Sequence, residues 1–264
     1  MGFNIIVPIK YVPDIEKVRF DVEAGRIDRS SAEGEINPFD LNALEAGVRI
    51  KEKYGGSVTV VSMGPPPAEK ALRDALARGA DMAILLSDVK FAGADTLATS
   101  YAISCAIRKI GSYDLIICGE KTVDGDTGQV GAEIAEFLGL PHSYYVSEIR
   151  EISDEYIRVV SDFGDAYYLV ELRLPALISV TKDINFPRLP TFKDKMRARR
   201  AEVTVWKADM LTDICDVDRF GFKGSPTVVS RVIIPKEQVR ECCFIKEEDA
   251  VDRIIEVLKD RGVI

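Results

Sequence analysis

Residues 119–131 read Gly-Glu-Lys-Thr-Val-Asp-Gly-Asp-Thr-Gly-Gln-Val-Gly, and this stretch holds the strongest chemical signal in the chain. Gly125, Gly128 and Gly131 recur every third residue, with Thr127, Gln129 and Val130 between them, where a helical pattern begins. Glycines let backbone N–H groups approach a phosphate without side-chain obstruction. A helix start adds unpaired N–H groups and a partial positive charge. The spacing is neither GxGxxG nor a P-loop, because no Gly-Lys-Ser/Thr follows. Asp124 and Asp126 add like charge, so they suit bonds to backbone amides, a helix cap or a ribose hydroxyl. A plain strand-to-helix turn also accounts for glycines at these positions.

Two further loops offer polar groups at helix starts. Asn37-Pro38-Phe39-Asp40 places an N-cap residue before a first-turn proline. Gly93-Ala94-Asp95-Thr96 repeats the theme, with Asp95 as a cap or a ligand to a hydroxyl. Other chemistries are poorly supplied. His142 is the single histidine, in a turn-like stretch after Pro141, so a Ser-His-Asp triad or a multi-histidine metal centre has little to build on. We assign no catalytic residue and no metal ligand. The chemistry points to a bound cofactor or a partner.

The elements that must position these loops follow from hydrophobic runs. Residues 3–9, 57–62, 82–86 and 113–118 are short, rich in Val and Ile, and apolar at consecutive positions. Strands buried on both faces of a parallel sheet read this way. Helical patterns alternate with them: Leu41, Leu44, Val48 and Lys51 mark one, followed by residues 67–79, 96–110 and 129–138. The last three close at Gly79, Gly111 and Gly139. The alternation predicts right-handed crossovers and a doubly wound, mainly parallel sheet. In such sheets ligands sit beyond the carboxyl ends of the strands, where the loops above gather. Residues 18–27 read as an inserted hairpin, and residues 144–152, 156–163 and 166–172 as an antiparallel extension, before another buried strand at 175–181.

The chain has 264 residues and a net charge of −8, which argues against general nucleic-acid binding. Residues 182–200 hold seven Lys or Arg against two Asp, so the charge elsewhere is about −13. No signal peptide and no membrane span is expected. Cys105, Cys118, Cys215, Cys242 and Cys243 contain no CxxC and are read as reduced thiols of an intracellular, cytoplasmic protein. Three parts are expected: a nucleotide-binding domain at 1–182, a loop and basic segment at 183–200, and an arm at 201–264. That arm offers a strand at 202–206, a loop at 221–226, an apolar run at 228–234 and a helix at 247–261. It has too little apolar surface to fold alone, and so is expected to pack on another chain.

Taken together, NPFDLNALEAGVRIKEKYG, VVSMGPP, GADTLATS and GEKTVDGDTGQVGAEIAEFLGLP resemble the beta subunit of electron transfer flavoproteins. PALISVTKDINFPRLPTFKDKMRARRAEVTVW is similar to the family's loop and basic stretch. The resemblance runs from Phe3 to the mid-200s. Residues 161–170 depart from it in a strand turn that reads Asp-Phe-Gly-Asp-Ala-Tyr-Tyr.

The resemblance implies an α/β fold of the adenine-nucleotide alpha-hydrolase-like type with an antiparallel extension and a C-terminal arm. It implies an FAD-bearing alpha subunit as partner of that arm. Residues 11–14, 93–100 and 124–131 resemble the electron-bifurcating members, which hold a second FAD where other members hold structural AMP. That implies an NADH-linked electron-transfer subunit. NADH is then the substrate, with electrons passing to an acyl-CoA or 2-hydroxy-acid dehydrogenase and to ferredoxin or flavodoxin. The alternative is an AMP-containing, non-bifurcating subunit. Cofactor contacts are expected from residues 124–131, with Asn37 and Asp40 toward the adenosine or ribose. Pro8, Ile9 and Lys10 would lie beneath, Met63 and Gly64 at the adenine edge, and Asp95, Thr96 and Thr99 nearby. Gly93, Ala94, Asp95 and Thr96 are expected to dock NADH. Leu189, Pro190, Phe192 and Met196 are expected to meet the dehydrogenase, with Phe192 as the anchor. ATP-activating enzymes of similar fold are excluded by Pro8-Ile9-Lys10-Tyr11-Val12-Pro13 where they need a Ser-Gly-Gly-x-Asp-Ser-like loop.

Overall fold

Ile5, Val7, Val58, Val60, Leu115 and Ile117 pack into one buried cluster, while Ile6, Val61, Ile84, Leu86 and Ile116 pack into a second. Alternate residues of the same strands enter different clusters, so the strands are covered on both faces. A computed structural model gives the arrangement and describes residues 2–13, 19–21, 26–28, 34–228, 230, 244 and 250–264.

The chain runs β1 (Phe3–Pro8), β2 (Tyr11–Pro13), β3 (Arg19–Asp21), β4 (Arg26–Asp28), β5 (Gly34–Ile36), α1 (Pro38–Tyr54) and β6 (Gly56–Met63). It continues through α2 (Glu69–Ala77), β7 (Met82–Leu86), α3 (Thr96–Ile110), β8 (Leu115–Gly119), α4 (Val130–Leu138), β9 (His142–Ile152), β10 (Tyr156–Asp162) and β11 (Tyr167–Arg173). Then follow β12 (Ala176–Val180), α5 (Phe192–Arg200), β13 (Thr204–Trp206) and α6 (Ala250–Asp260).

Nine of the thirteen described strands form one sheet, ordered β11-β10-β9-β12-β8-β1-β6-β7-β13, and β2 pairs with β5 in a small sheet of its own. All pairings from β9 through β13 in that order are parallel, and β9-β10-β11 is the antiparallel extension. Residues of α1 and α2 join the first core cluster, and residues of α3 and α4 join the second. This is the doubly wound α/β class that the strand–helix alternation predicts. The inserted hairpin is β3–β4, paired antiparallel. Among the described residues no helix is long and apolar enough to cross a membrane.

Two expectations change. Residues 192–200, expected as part of a loop and basic segment, form a helix. Thr191 caps it by accepting from the Asp194 N–H at 3.2 Å, and Arg197, Arg199 and Arg200 suit its carboxyl end. The arm expected from residue 201 does not begin there. Thr204–Trp206 pairs with β7 as the sheet edge, and the first compact unit runs from Met1 to Val228. Ala208, Leu211 and Phe220 are buried in the second core cluster, which gives this stretch its hold on the sheet. Only Val229–Ile264 forms a separate unit, and most of the apolar run at 228–234 lies outside the described residues.

The cysteine reading also needs correction. Cys105 of α3 and Cys215 are joined in a disulfide with Cα atoms 6.1 Å apart, inside the usual span for such bonds. The fold brings together residues 110 positions apart, which spacing alone cannot announce. Cys118 is a buried free thiol, and Cys242 and Cys243 lie outside the described residues.

Candidate functional site

Parallel register places the carboxyl ends of β1, β6, β7 and β8 on one edge, so the loops that follow them converge there. Pro8 and Ile9 are buried where β1 ends, and the Ile9 N–H donates to the Val61 carbonyl at 2.8 Å. Met63 ends β6 half-buried, and the Gly64 N–H donates to the Leu86 carbonyl at 3.0 Å. These residues form the floor beneath the loops.

Asn37 and Asp40 tie the loops together from below. Asn37 is fully buried at the N-cap position of α1, but its side chain makes no cap bond. Its Nδ2 donates to the Lys121 carbonyl at 2.9 Å, and its Oδ1 accepts from the Val123 N–H at 3.1 Å. The Asn37 N–H donates to the Lys10 carbonyl at 2.9 Å, which adds the first loop to the same link. Asp40 is buried and accepts from the Lys10 N–H at 2.8 Å. Burial pushes its carboxyl up to about 7, against opposing hydrogen bonds from the Lys10 backbone, the Asn37 side chain and the Gly119 backbone. A Cβ at Gly119 would lie 2.5 Å from Asp40 Oδ1, so this corner requires glycine. Both polar side chains of the Asn-Pro-Phe-Asp segment are therefore committed to backbone groups and face away from solvent.

The fourth loop itself is open. Asp124, Gly125, Asp126, Thr127 and Gln129 are exposed. Lys10 Nζ pairs with Asp124 Oδ1 at 2.8 Å, and Lys121 Nζ with Asp126 Oδ1 at 2.8 Å. Burial raises the Asp124 carboxyl, but the bonds from Lys10 and Thr122 outweigh it and leave it below its ordinary value. Asp126 has φ 51°, and its N–H closes a turn onto the Thr122 carbonyl at 2.8 Å. Gly128 has φ 62°, in the left-handed region that glycine enters without strain. Among the described residues, the N–H groups of Gly128, Gln129, Val130 and Gly131 donate to no protein acceptor. The next one, Ala132, is taken by Tyr144 Oη at 2.6 Å. A row of free donors at the head of α4, beside Lys10 and Lys121, can bind a phosphate-bearing ligand.

The third loop is held from outside. Asp95 caps α3 by accepting from the Ala98 N–H at 3.0 Å. The same carboxylate accepts from the Thr227 N–H at 3.1 Å and Thr227 Oγ1 at 2.6 Å. Its own N–H donates to Ser225 Oγ at 2.8 Å. Gly93 lies against Phe222, where a Cβ would come within 3.3 Å of the Phe222 Cβ. Asp95 thus fastens the stretch near residue 225, while Ala94, Thr96 and Thr99 remain half-exposed. Thr96 Oγ1 lies 3.2 Å from Glu133 Oε1 and 3.4 Å from Gln129 Oε1, joining the third loop to the fourth.

Sequence reasoning missed Glu133, which also accepts from Ser100 Oγ at 2.7 Å and knits the starts of α3 and α4. A Glu in the first turn of a helix was the available signal. It missed Tyr144 and Lys121 as well.

In the segment that follows β12, Leu189 is 84% exposed and Phe192 80%, with Pro190 and Met196 half-buried. Phe186, not singled out from sequence, is 92% exposed.

Fold and site together define a doubly wound α/β protein whose loop beyond the carboxyl end of β8 presents N–H groups with no acceptor among the described residues. The electron transfer flavoprotein domain model matches residues 24–211. An electron transfer flavoprotein subunit beta of Thermoanaerobacterium thermosaccharolyticum is 44% identical over 99% of this chain and 100% of its own length. Protein FixA of Azorhizobium caulinodans is 41% identical over 92% of this chain and 88% of its own. The caffeyl-CoA reductase-Etf complex subunit CarD of Acetobacterium woodii is 39% identical over 88% of each. The chain belongs to the electron transfer flavoprotein family.

Proposed function

We propose that this chain is the beta subunit of a heterodimeric electron transfer flavoprotein, working in the cytoplasm, that holds FAD on the loop at 124–131 and receives electrons there from NADH. One electron leaves toward an FAD on an alpha subunit and on to an acyl-CoA or 2-hydroxy-acid dehydrogenase. The other leaves toward ferredoxin or flavodoxin. The reading rests on the free N–H groups of Gly128 to Gly131, which suit the phosphates of a nucleotide cofactor.

When bound, the flavin supplies hydride acceptance and single-electron release. This chain's residues bind and orient it. Gly125 and Thr127 flank the donors, and Pro8, Ile9, Met63 and Gly64 form the floor. Asn37 and Asp40 act as positioning residues, fixing Lys10, Gly119, Lys121 and Val123. NADH docks against Gly93, Ala94 and Thr96, with Asp95 holding that loop in shape. The alpha subunit covers α6, whose Val251, Ile254 and Ile255 are exposed at helical spacing.

The test is to purify the heterodimer, extract its nucleotides and follow NADH oxidation with ferredoxin present. Two FAD per dimer with ferredoxin reduction supports the reading. One FAD and one AMP per dimer overturns it and leaves a non-bifurcating subunit with structural AMP.

A further inference from the structure

Glu45 is a charged side chain of α1 that is only 4% exposed. Its partner is Arg188, from the segment that carries Phe186, Leu189 and Phe192. Arg188 Nε donates to Glu45 Oε2 at 2.7 Å, and the Arg188 N–H reaches the same oxygen at 3.2 Å. The other arm of the guanidinium bonds Glu52, with Nη2 donating to Oε2 at 2.9 Å. The neighbours are tied in the same way. Asn42 Nδ2 donates to the Asn185 carbonyl at 2.8 Å, and Asn185 Nδ2 returns a bond to the Asn42 carbonyl at 2.9 Å. Arg49 donates to the Phe186 carbonyl at 3.2 Å, and Arg78 to the Arg188 carbonyl at 2.7 Å.

Asn42, Glu45, Arg49 and Glu52 are spaced at i, i+3, i+7 and i+10, so they form one polar stripe along α1. The stripe meets the backbone of residues 185–188 and leaves the apolar side chains of that segment pointing outward. Sequestering Glu45 with its arginine is a costly route to stability, since apolar side chains in that space hold a fold about as well. What a forked ion pair adds is a fixed position for a backbone that no strand or helix holds. Pro187 and Pro190 restrict the same segment further.

We propose that the α1 stripe, acting through Arg188, holds residues 185–192 in a docking-ready conformation for a protein partner. Glu45 and Arg188 are then positioning residues for recognition, though neither needs to touch the partner. This inference rests on the reading of a dehydrogenase as the redox partner. The complementary partner surface is an apolar depression rimmed by carboxylates, because Phe186, Leu189 and Phe192 stand beside the exposed Lys193, Lys195 and Arg199.

The test uses the purified heterodimer and the acyl-CoA or 2-hydroxy-acid dehydrogenase that accepts its electrons. Arg188→Lys keeps the charge but loses the fork, and Glu45→Gln keeps the shape but loses the charge. Amide exchange over residues 185–189 should speed up at least tenfold in both, with nucleotide content unchanged. If the docking conformer falls to about a tenth of its population, the apparent affinity falls about tenfold. KM for the dehydrogenase should rise by that factor with kcat unchanged. Phe192→Ala should raise the same KM while leaving the exchange at wild-type rates. Unchanged exchange in Arg188→Lys, or faster exchange with unchanged KM, overturns the positioning role. An unchanged KM in Phe192→Ala overturns the docking reading instead. Should Glu45→Gln not fold, Arg188→Lys carries the test alone.

Discussion

Replacing Asp40 with Asn gives a quantitative test of how the loops are held. Buried under Lys10 and Gly119, the Asp40 carboxyl keeps its proton up to about pH 7, against an ordinary value of 3.8. Between those values the unfolded chain releases the proton and the native chain does not. Stability therefore falls as pH rises through that window. The contribution is complete below the unfolded value and gone above the native one. The whole shift corresponds to about 4 kcal/mol, and the part lying between pH 5 and pH 8 to about 2.5 kcal/mol. Asparagine does not titrate. Its amide also cannot accept at both former oxygen positions, so the variant carries a cost, but one independent of pH. Urea midpoints of the full chain should be measured for wild type and Asp40→Asn at both pH values. The double difference removes the fixed cost and every other titrating group, leaving about 2.5 kcal/mol lost by wild type alone. A double difference below about 0.5 kcal/mol would refute the reasoning: the hydrogen bonds to Asp40 would then outweigh burial and keep it ionised.

Two further predictions test other parts of the molecule. Gln129→Glu puts a carboxylate at the N-terminus of α4, where the helix tolerates it, but beside the proposed phosphate site. At roughly 5 Å and an intermediate dielectric the repulsion is about 2 kcal/mol, so nucleotide affinity should drop about thirtyfold while the melting temperature holds; unchanged affinity would move the phosphates elsewhere. Gly128→Val is the poorer probe, since φ 62° already strains any branched side chain. Cys105→Ser removes a bond closing a long loop and should cost about 2–4 kcal/mol, with wild type losing a similar amount under a reducing dithiol; a wild-type tryptic digest lacking a Cys105–Cys215 crosslinked peptide would sink it.

The parallel core was legible because a strand buried on both faces has few ways to be written. Leu115, Ile116 and Ile117 are apolar on consecutive positions and all buried. Helix ends at Gly111 and Gly139 were legible because positive φ selects glycine there, at 90° and 67°. Helix α5 was not. Its run of Lys and Arg carries no apolar stripe, and only Ala198 is buried, so the decisive signal was the cap, Thr191 with Asp194 three residues on. The extent of the first unit was hidden for a related reason. Phe220 is fully buried, but it lies among short turns, and the rings it packs on, Phe91 and Tyr101, are far away in sequence.

The site shows a different limit. Asn and Asp at the start of a helix read alike whether they face a ligand or another loop, because both uses present the same donors and acceptors. Asn37 and Asp40 face other loops. Their partners are the backbone of Lys10, Gly119, Lys121 and Val123, which lie in chain segments far apart in sequence. Backbone groups at a convergence of loops must be satisfied by something. A polar side chain in that place therefore buys geometry first, and any effect on ligand affinity passes through the loops it fixes. The glycine row differs because its N–H groups have no acceptor among the described residues. That freedom, rather than residue type, separates a group available to a ligand from one already used. Glu133 makes the same point from the other direction: a Glu in the first turn of α4 reads as a charge suited to a helix start, yet its carboxylate joins Thr96 and Ser100 of α3 to α4.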